Sequence, residues 1–306
     1  MLKQDHYKTS VYKTPFHERT SELNILNEWY RWKDYTVPNS YFRTDLEYFA
    51  ARNSTAVFDV TPMTKHKITG SDSEAFVNRF FTRDMRKVAP GRVAYVVWCD
   101  EQGSVIDDGT VFHVRSGEYW LLCVERQLDN LSRCAIGFDV QVEEITDEVP
   151  GLAIQGPTSC SILKAMGFEG IENLKPFDLK HYNFNGEELM ISRTGFTGDL
   201  GYEVFMPTHI ALPFWDKLFA EGEIYGIKPM GIEALDYVRI EAGLLQPGVD
   251  FIVADIAVRP GVTRSPFEIG LSWQVDFSKP VFNGRQALLE EKKRGSKYTF
   301  LKLNIQ

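Results

Sequence analysis

Residues 93–124 read VAYVVWCDEQGSVIDDGTVFHVRSGEYWLLCV. Three runs in this stretch, VAYVVWC, VIDDGTVFHV and YWLLCV, are rich in β-branched and aromatic residues and too short for ordinary helices. Glu101-Gln102-Gly103 separates the first two as a turn. The stretch therefore predicts successive strands of one sheet. Its oddity is Asp107-Asp108, two carboxylates side by side in an apolar strand and followed by Gly109. Neighbouring strand residues point to opposite faces, so at most one of the pair aims at a given site. Two readings stand: both acids solvated at a strand end, or one carboxylate at a cleft rim holding a cationic or amine-bearing reactant.

Working outward, residues 44–53 predict a helix with Leu46, Phe49 and Ala50 on its apolar face, followed by the strand AVFDV. The first forty residues are aromatic and polar, with Trp29, Tyr30, Trp32 and Tyr35 crowded ahead of Pro38. Ser71-x-x-Glu74 is a capping-box pattern before AFVNRFF. Downstream, VQVEEI and LAIQG read as strands and SCSILKAM as a helix stopped by Gly167. EELMISRTGF and YEVFMP read as strands around the turn Thr197-Gly198-Asp199-Leu200-Gly201. Helices follow over 210–221, ending at Gly222, and over MGIEALDYVRIEA, ending at Gly243; in the latter Ile232, Leu235, Val238 and Ala242 recur at core-facing spacing. A last helix, RQALLEEKKR, starts from Asn283 as N-cap, and LKLNIQ at the end reads as the beginning of a strand. Strands and helices mix without strict alternation, which predicts an α+β fold rather than a doubly wound parallel sheet.

The chain has 306 residues, 43% of them hydrophobic and 25% charged, enough for about two domains with packed cores. Its net charge of −8 argues against nucleic acid or an anionic membrane as partner. No apolar run reaches membrane-spanning length, and the polar N-terminus lacks the apolar core of a signal peptide, so a cytoplasmic protein is expected. Cys99, Cys123, Cys134 and Cys160 form no C-x-x-C pair, and the six histidines are scattered, so no metal site is expected. The glycine-rich phosphate fingerprints of NAD and ATP enzymes are missing from the sequence.

Glu203 is the second candidate. In YEVF it shares a strand face with Phe205, and a carboxylate can take two parallel N–H bonds from an amino-heterocycle such as a pterin. A solvent-facing strand glutamate is the alternative.

FDVTPM, VIDDGTV, LAIQGPTS, TGFTGDLGYEVF, VRIEAGL and EIGLSW occur in this order. Together they resemble the tetrahydrofolate-dependent aminomethyltransferase family, comprising the T-protein of the glycine cleavage system and related folate-dependent demethylases, over roughly residues 45–290. The resemblance implies ferredoxin-like subdomains and a C-terminal β-barrel around a central folate cavity. Residues 1–290 would be a folate-binding region of two interwoven subdomains, and 291–306 the start of a barrel that is mostly absent. It further implies that Asp108 is catalytic, that Glu203 holds the folate, and that Met63, Tyr95, Phe177, Phe196 and Trp273 line its site. A lone aromatic in a strand also suits a packed core, and that reading stands beside the implied one.

Three departures bear on substrate. Leu235 stands in Ala234-Leu235-Asp236 where the family often has arginine, Thr61-Pro62 replaces Ser-His, and Gly109 replaces a larger apolar residue. If another cation serves the glutamate tail of folate, Arg239, one turn further along the helix, is the first choice. The implied function is one-carbon transfer to tetrahydrofolate as cofactor, without metal or flavin. The donor is either an aminomethyl group on a lipoylated carrier protein or a small methylated molecule. A non-catalytic folate-binding relative would carry Lys-Gly-Cys-Tyr where this chain has Leu244-Leu245-Gln246-Pro247-Gly248.

Overall fold

The three runs of residues 93–124 form the strands Arg92–Cys99, Val105–Arg115 and Glu118–Cys123 in a computed structural model that describes residues 12–259 and 261–303. They belong to one of two compact units. The first comprises Met1–Met63 and Thr146–Leu244, the second Thr64–Ile145 and Leu245–Gln306. Each unit is thus assembled from two separate stretches of chain.

The second unit is built on a five-stranded antiparallel sheet, in the order Arg92–Cys99, Val105–Arg115, Glu118–Cys123, Thr64–Thr69, Gln141–Glu144. Alternate residues of the first strand enter different cores, as the two-residue period of a strand requires. Ala94, Val96 and Trp98 pack with Phe76, Val77 and Phe80 of the helix Ser73–Phe80. Val97 and Cys99, with Val105 opposite, pack with Ile269, Phe282 and Leu288, the last from the helix Arg285–Arg294. Each buried Val, Ile, Leu or Phe among them contributes about 1.5–3 kcal/mol over leaving it in water. Covering both faces explains why these strands are almost continuously apolar. Gly109 has a packing reason as well: a Cβ there would lie 2.3 Å from the Leu122 carbonyl of the neighbouring strand.

The first unit carries a six-stranded sheet, ordered Leu179–Phe184, Glu187–Ser192, Gly201–Phe205, Gly151–Gln155, Thr55–Asp59, Ile227–Pro229, in which only the last pairing is parallel. Ile162 and Leu163 of the helix Ser159–Ala165 and Phe214, Trp215 and Leu218 of the helix Ala211–Gly222 bury one core with it. A small sheet of Tyr12–Lys13, Tyr35–Ser40 and Glu28–Trp32 accounts for the aromatic N-terminal region. The α+β class holds. Among the described residues no helix is long and apolar enough to cross a membrane, and none of the sheets closes into a barrel.

Several local readings are corrected. The helix Thr44–Asn53 exposes Leu46 and Phe49 and buries Glu47, Ala50 and Ala51. The Glu47 carboxylate turns inward because it accepts the backbone N–H groups of Tyr41, Phe42 and Gly231, at 2.7–3.1 Å, and the Ser40 hydroxyl. Ser71 does not cap its helix; its hydroxyl donates to Asp139 at 2.6 Å. On the helix Ile232–Ala242 the buried residues are Ala234, Val238 and Arg239, while Ala242 is exposed. The final helix is capped by Gly284, at φ 80°, rather than by Asn283. Residues 301–303 form no strand, and 304–306 of the LKLNIQ reading lie outside the described residues.

Replacing Glu47 by alanine leaves several buried N–H donors without an acceptor. The expected cost is about 3 kcal/mol or more. Urea denaturation of the full chain measures it, and an unchanged midpoint would contradict this role.

Candidate active site

In the Val105–Arg115 strand the two acids have separate surroundings. Asp107 is fully buried on the face of Trp98, its register partner. Its Oδ1 accepts the backbone N–H of Asp108 at 2.9 Å, and Gln127 Nε2 donates to Oδ2 at 3.4 Å. Asp108 points to the other face, is half-buried, and accepts the Tyr95 hydroxyl on Oδ2 at 2.5 Å. Tyr95 opposes Thr110 and Val97 opposes Asp108, so Tyr95 and Asp108 are diagonal cross-strand neighbours. Burial pushes the Asp108 carboxyl up to about 7, with the Tyr95 hydrogen bond pulling the other way. Burial and the adjacent carboxylate raise the Tyr95 phenol, so its hydroxyl stays a donor. Asp108 Oδ1 has no hydrogen-bond partner among the described residues.

Trp273, in the short turn Ser272–Gln274, stands 6.1 Å from Tyr95 between ring centroids and is 63% exposed. An open aromatic face beside a half-buried acid can receive a flat, polar-edged heterocycle. Arg83 completes this group: Nη1 donates to the Tyr95 carbonyl at 3.1 Å, and its guanidinium lies 6.0 Å from the Trp273 ring centroid. Sequence reasoning missed Arg83, because a basic residue in the polar run TRDMRK reads as a solvated turn.

Met63, Phe177, Phe196 and Glu203 belong to the first unit. Glu203 is 7% exposed and accepts the Thr194 hydroxyl, which lies 2.6 Å from that of Ser192. Gln155 locks the adjoining loop: its amide donates to the carbonyls of Thr194 and Tyr202 and accepts the Thr197 hydroxyl. A Cβ at Gly195 or Gly201 would lie about 2 Å from Gln155 Oε1, so the glycines of TGFTGDLG make room for that amide. Phe196 is half-buried on this loop, which Arg52 fastens through Thr197 O at 2.8 Å and Asp199 at 2.6 Å. Phe177 is 40% exposed at φ 65°, a left-handed conformation that a bulky residue adopts at a cost of roughly 1–2 kcal/mol. Met63 is half-buried in a turn closed on Val60.

Thr61, one of the departures, and Arg239, the alternative cation, both have structural work. Thr61 accepts the Gly151 N–H at 3.3 Å and donates its own N–H to Asp59. Arg239 does not present a free cation: it is 2% exposed, ion-paired with Asp236 at 2.6 Å and bonded to the Leu244 carbonyl.

The GCVT N-terminal domain family model matches residues 17–279. The aminomethyltransferase of Caldanaerobacter subterraneus subsp. tengcongensis is 33% identical over 292 residues, 93% of this chain and 75% of the relative. The trimethylamine-oxide aldolase of Ruegeria pomeroyi is 37% identical over 260 residues, 80% of this chain but 32% of that protein. Among solved structures, the glycine cleavage system aminomethyltransferase T from Bartonella henselae matches with a TM-score of 0.82 at 24% identity, over 94% of this chain and 76% of that one.

Because the folded carboxyl of Asp108 titrates near 7, above its usual range, the folded state gains most from it below pH ~4 and loses that gain as pH rises through 7. Asp108→Asn is therefore expected to be more stable than the parent at pH 8, on the order of 1–2 kcal/mol after solvent screening, and to lose this advantage at pH 4. Asp107→Asn, which disturbs a fully buried acceptor, is expected to destabilise at both. Thermal melts across pH check this; a pH-independent difference for Asp108→Asn would show that its carboxyl is not held in an unfavourable place.

Proposed function

We propose that this chain, which belongs to the tetrahydrofolate-dependent aminomethyltransferase family, transfers a one-carbon unit to tetrahydrofolate in the manner of a T-protein, with Asp108 as its acid–base residue. The observation that carries this reading is the Asp108 carboxylate itself. It is half-buried, tethered through one oxygen to Tyr95, without a hydrogen-bond partner on the other among the described residues, and raised by burial to about 7. A carboxyl titrating near the working pH both accepts and returns a proton efficiently.

Tetrahydrofolate, when bound, supplies the nitrogen nucleophile that takes up the carbon. Within the second unit the residues suit such a ligand: Trp273 and Tyr95 offer a flat apolar wall beside Asp108. Within the first unit, taken by itself, Glu203 is a rigidly held carboxylate of the kind that binds an amino-pyrimidine edge. Asp108 takes the proton that a nitrogen gives up on bonding to carbon, and while ionised it offsets positive charge developing there. Tyr95 is a positioning residue: it donates to Oδ2 and leaves Oδ1 to face the reactant. Asp107 holds the Asp108 backbone. Holding reactants in register is the larger part of the catalysis, worth up to ~7–11 kcal/mol for well-oriented partners.

The donor follows one of two patterns. The aminomethyltransferase relatives support an aminomethyl group, for which the family resemblance implies a lipoylated carrier protein. The second reading, a small methylated donor, is favoured by the 37% identity to a trimethylamine-oxide aldolase. Gly109 does not discriminate, since the Leu122 carbonyl already demands it.

Incubation with tetrahydrofolate and each donor in turn, following methylene- and methyl-tetrahydrofolate separately, tests the reading. Asp108→Asn is expected to lower kcat by about 100-fold or more. For the active donor, kcat/KM should rise with pH through about 7. Tyr95→Phe removes a donor that favours the ionised acid, so this limb should move to higher pH. A limb that stays put in Tyr95→Phe, or full activity in a folded Asp108→Asn, would remove Asp108 from the role.

A further inference from the structure

Arg83 has a place built for it. The Thr82 hydroxyl lies 3.1 Å from the Val97 carbonyl and 3.0 Å from that of Gln274, and Asp276 N–H donates to the Thr82 carbonyl at 3.1 Å. The fully buried Lys279 Nζ donates to the carbonyls of Phe81 and Arg83, at 2.5 and 2.9 Å. These bonds seat residues 81–84 against residues 274–279, and so bring the Arg83 guanidinium over Trp273.

Yet the guanidinium is poorly compensated. It has five N–H donors, and its hydrogen bond goes to the backbone carbonyl of Tyr95. Among the described residues no carboxylate stands within ion-pair distance of it. The nearby acids are committed elsewhere: Asp84 to Arg86 at 2.9 Å, and Asp276 to Lys87 at 2.6 Å and to Ser278. Arg83 is half-buried, and desolvation without an opposing carboxylate lowers its affinity for its proton. A partly desolvated cation without a counter-ion is stabilised when an anion completes it. Tyr95 also joins Arg83 to the candidate site, through its carbonyl to Arg83 and its hydroxyl to Asp108.

We propose that Arg83 forms a carboxylate-binding subsite, in which a ligand lies against the exposed face of Trp273 and its carboxylate receives a fork of N–H bonds from the guanidinium. The inference rests on the folate-dependent function proposed above for the identity of the ligand. Two sources of carboxylate are open to that reaction: the benzoylglutamate end of folate, and a small methylated donor that itself bears a carboxylate. Both present the planar anion that arginine binds through two parallel bonds.

Calorimetry on the full chain, unaltered and as Arg83→Gln, separates the sources with three probes: tetrahydrofolate monoglutamate, 6,7-dimethyltetrahydropterin, which has no carboxylate, and N,N-dimethylglycine. Arg83→Gln is expected to weaken at least one carboxylate probe by about 10- to 100-fold, and to leave the tetrahydropterin unchanged. Loss on tetrahydrofolate assigns the folate end; loss on dimethylglycine alone assigns the donor. The proposal is overturned if both carboxylate probes bind the variant as they bind the parent, if neither binds the parent, or if the tetrahydropterin weakens equally. Should the parent bind dimethylglycine through Arg83 but neither pterin, the folate reading fails and the subsite stands. If Arg83→Gln does not fold, Arg83→Lys keeps the charge and loses the fork; about a threefold or greater loss then supports the proposal, and unaltered binding overturns it.

Discussion

A strand buried on both faces has no inexpensive place for a carboxylate, and the Val105–Arg115 strand carries two. Much of the second unit is arranged around that constraint. The alternation of the strand sends the acids to opposite sides, and each side answers differently. On one, Asp107 receives a backbone N–H and the amide of Gln127, and is spent on structure. On the other, Asp108 receives a single phenolic hydroxyl and stays half-open. Burial without full hydrogen bonding raises an acid, and partial relief by one donor leaves it near neutrality instead of far above. Chemical poise and incomplete satisfaction are here the same fact.

The first unit solves a related problem with an amide. Gln155 bridges the Thr194 and Tyr202 carbonyls and the Thr197 hydroxyl, which ties a long loop to the start of the Gly201–Phe205 strand. Thr194 in turn donates to Glu203, two residues into that strand. The side chain that fixes the loop carrying Phe196 is thus one bond removed from the side chain that fixes Glu203. Arg52 anchors the same loop from outside, reaching Thr197 O, Asp199 and Glu241. A carboxylate held in this way keeps its oxygens in fixed directions, which a mobile acid would lose to rotamer entropy.

The sheets were legible because their period is two residues and their runs are apolar: each of the three strands read from residues 93–124 is present within a few residues. Turn glycines were legible for the same local reason; Gly167 and Gly243 close their helices at φ 97° and 75°. What was not legible depends on partners distant in sequence. The inward turn of Glu47 depends on Gly231, 184 positions away, which donates to it. Ser71 reads as a cap until Asp139 claims its hydroxyl. The strand Thr64–Thr69 is masked by Lys65, His66 and Lys67, whose polarity conceals a largely buried interior strand, fourth of the five. Among candidate residues, the paired acids and Glu203 could be picked out by type and spacing, whereas Arg83 could not. Its significance is that, among the described residues, no carboxylate stands within ion-pair distance of it, because the nearby Asp84 and Asp276 are engaged by other cations; that is a property of the fold.

Some residues with unfavourable local energetics stand at or beside candidate positions, while others, such as His66 and the left-handed Asn27, Lys33 and Asn185, do not. Asp108 carries a raised acid, Arg83 a half-buried cation, Phe177 a left-handed backbone, and Lys279 an amine that burial pushes down to about 7 despite Asp84 and Asp276. Lys279 shows how such a cost is put to use. Placed in water it would be unremarkable; buried, it is the donor that holds the Phe81 and Arg83 carbonyls and so fixes where the guanidinium lies. The core tolerates this because the sheet of the second unit is flanked by two apolar clusters, one on each face. Each penalty is of order 1–3 kcal/mol, comparable to the gain from burying a single large apolar side chain. Two covered faces therefore supply the margin in which one strand can keep an incompletely satisfied acid, and a sheet covered on only one face would have far less to offset it.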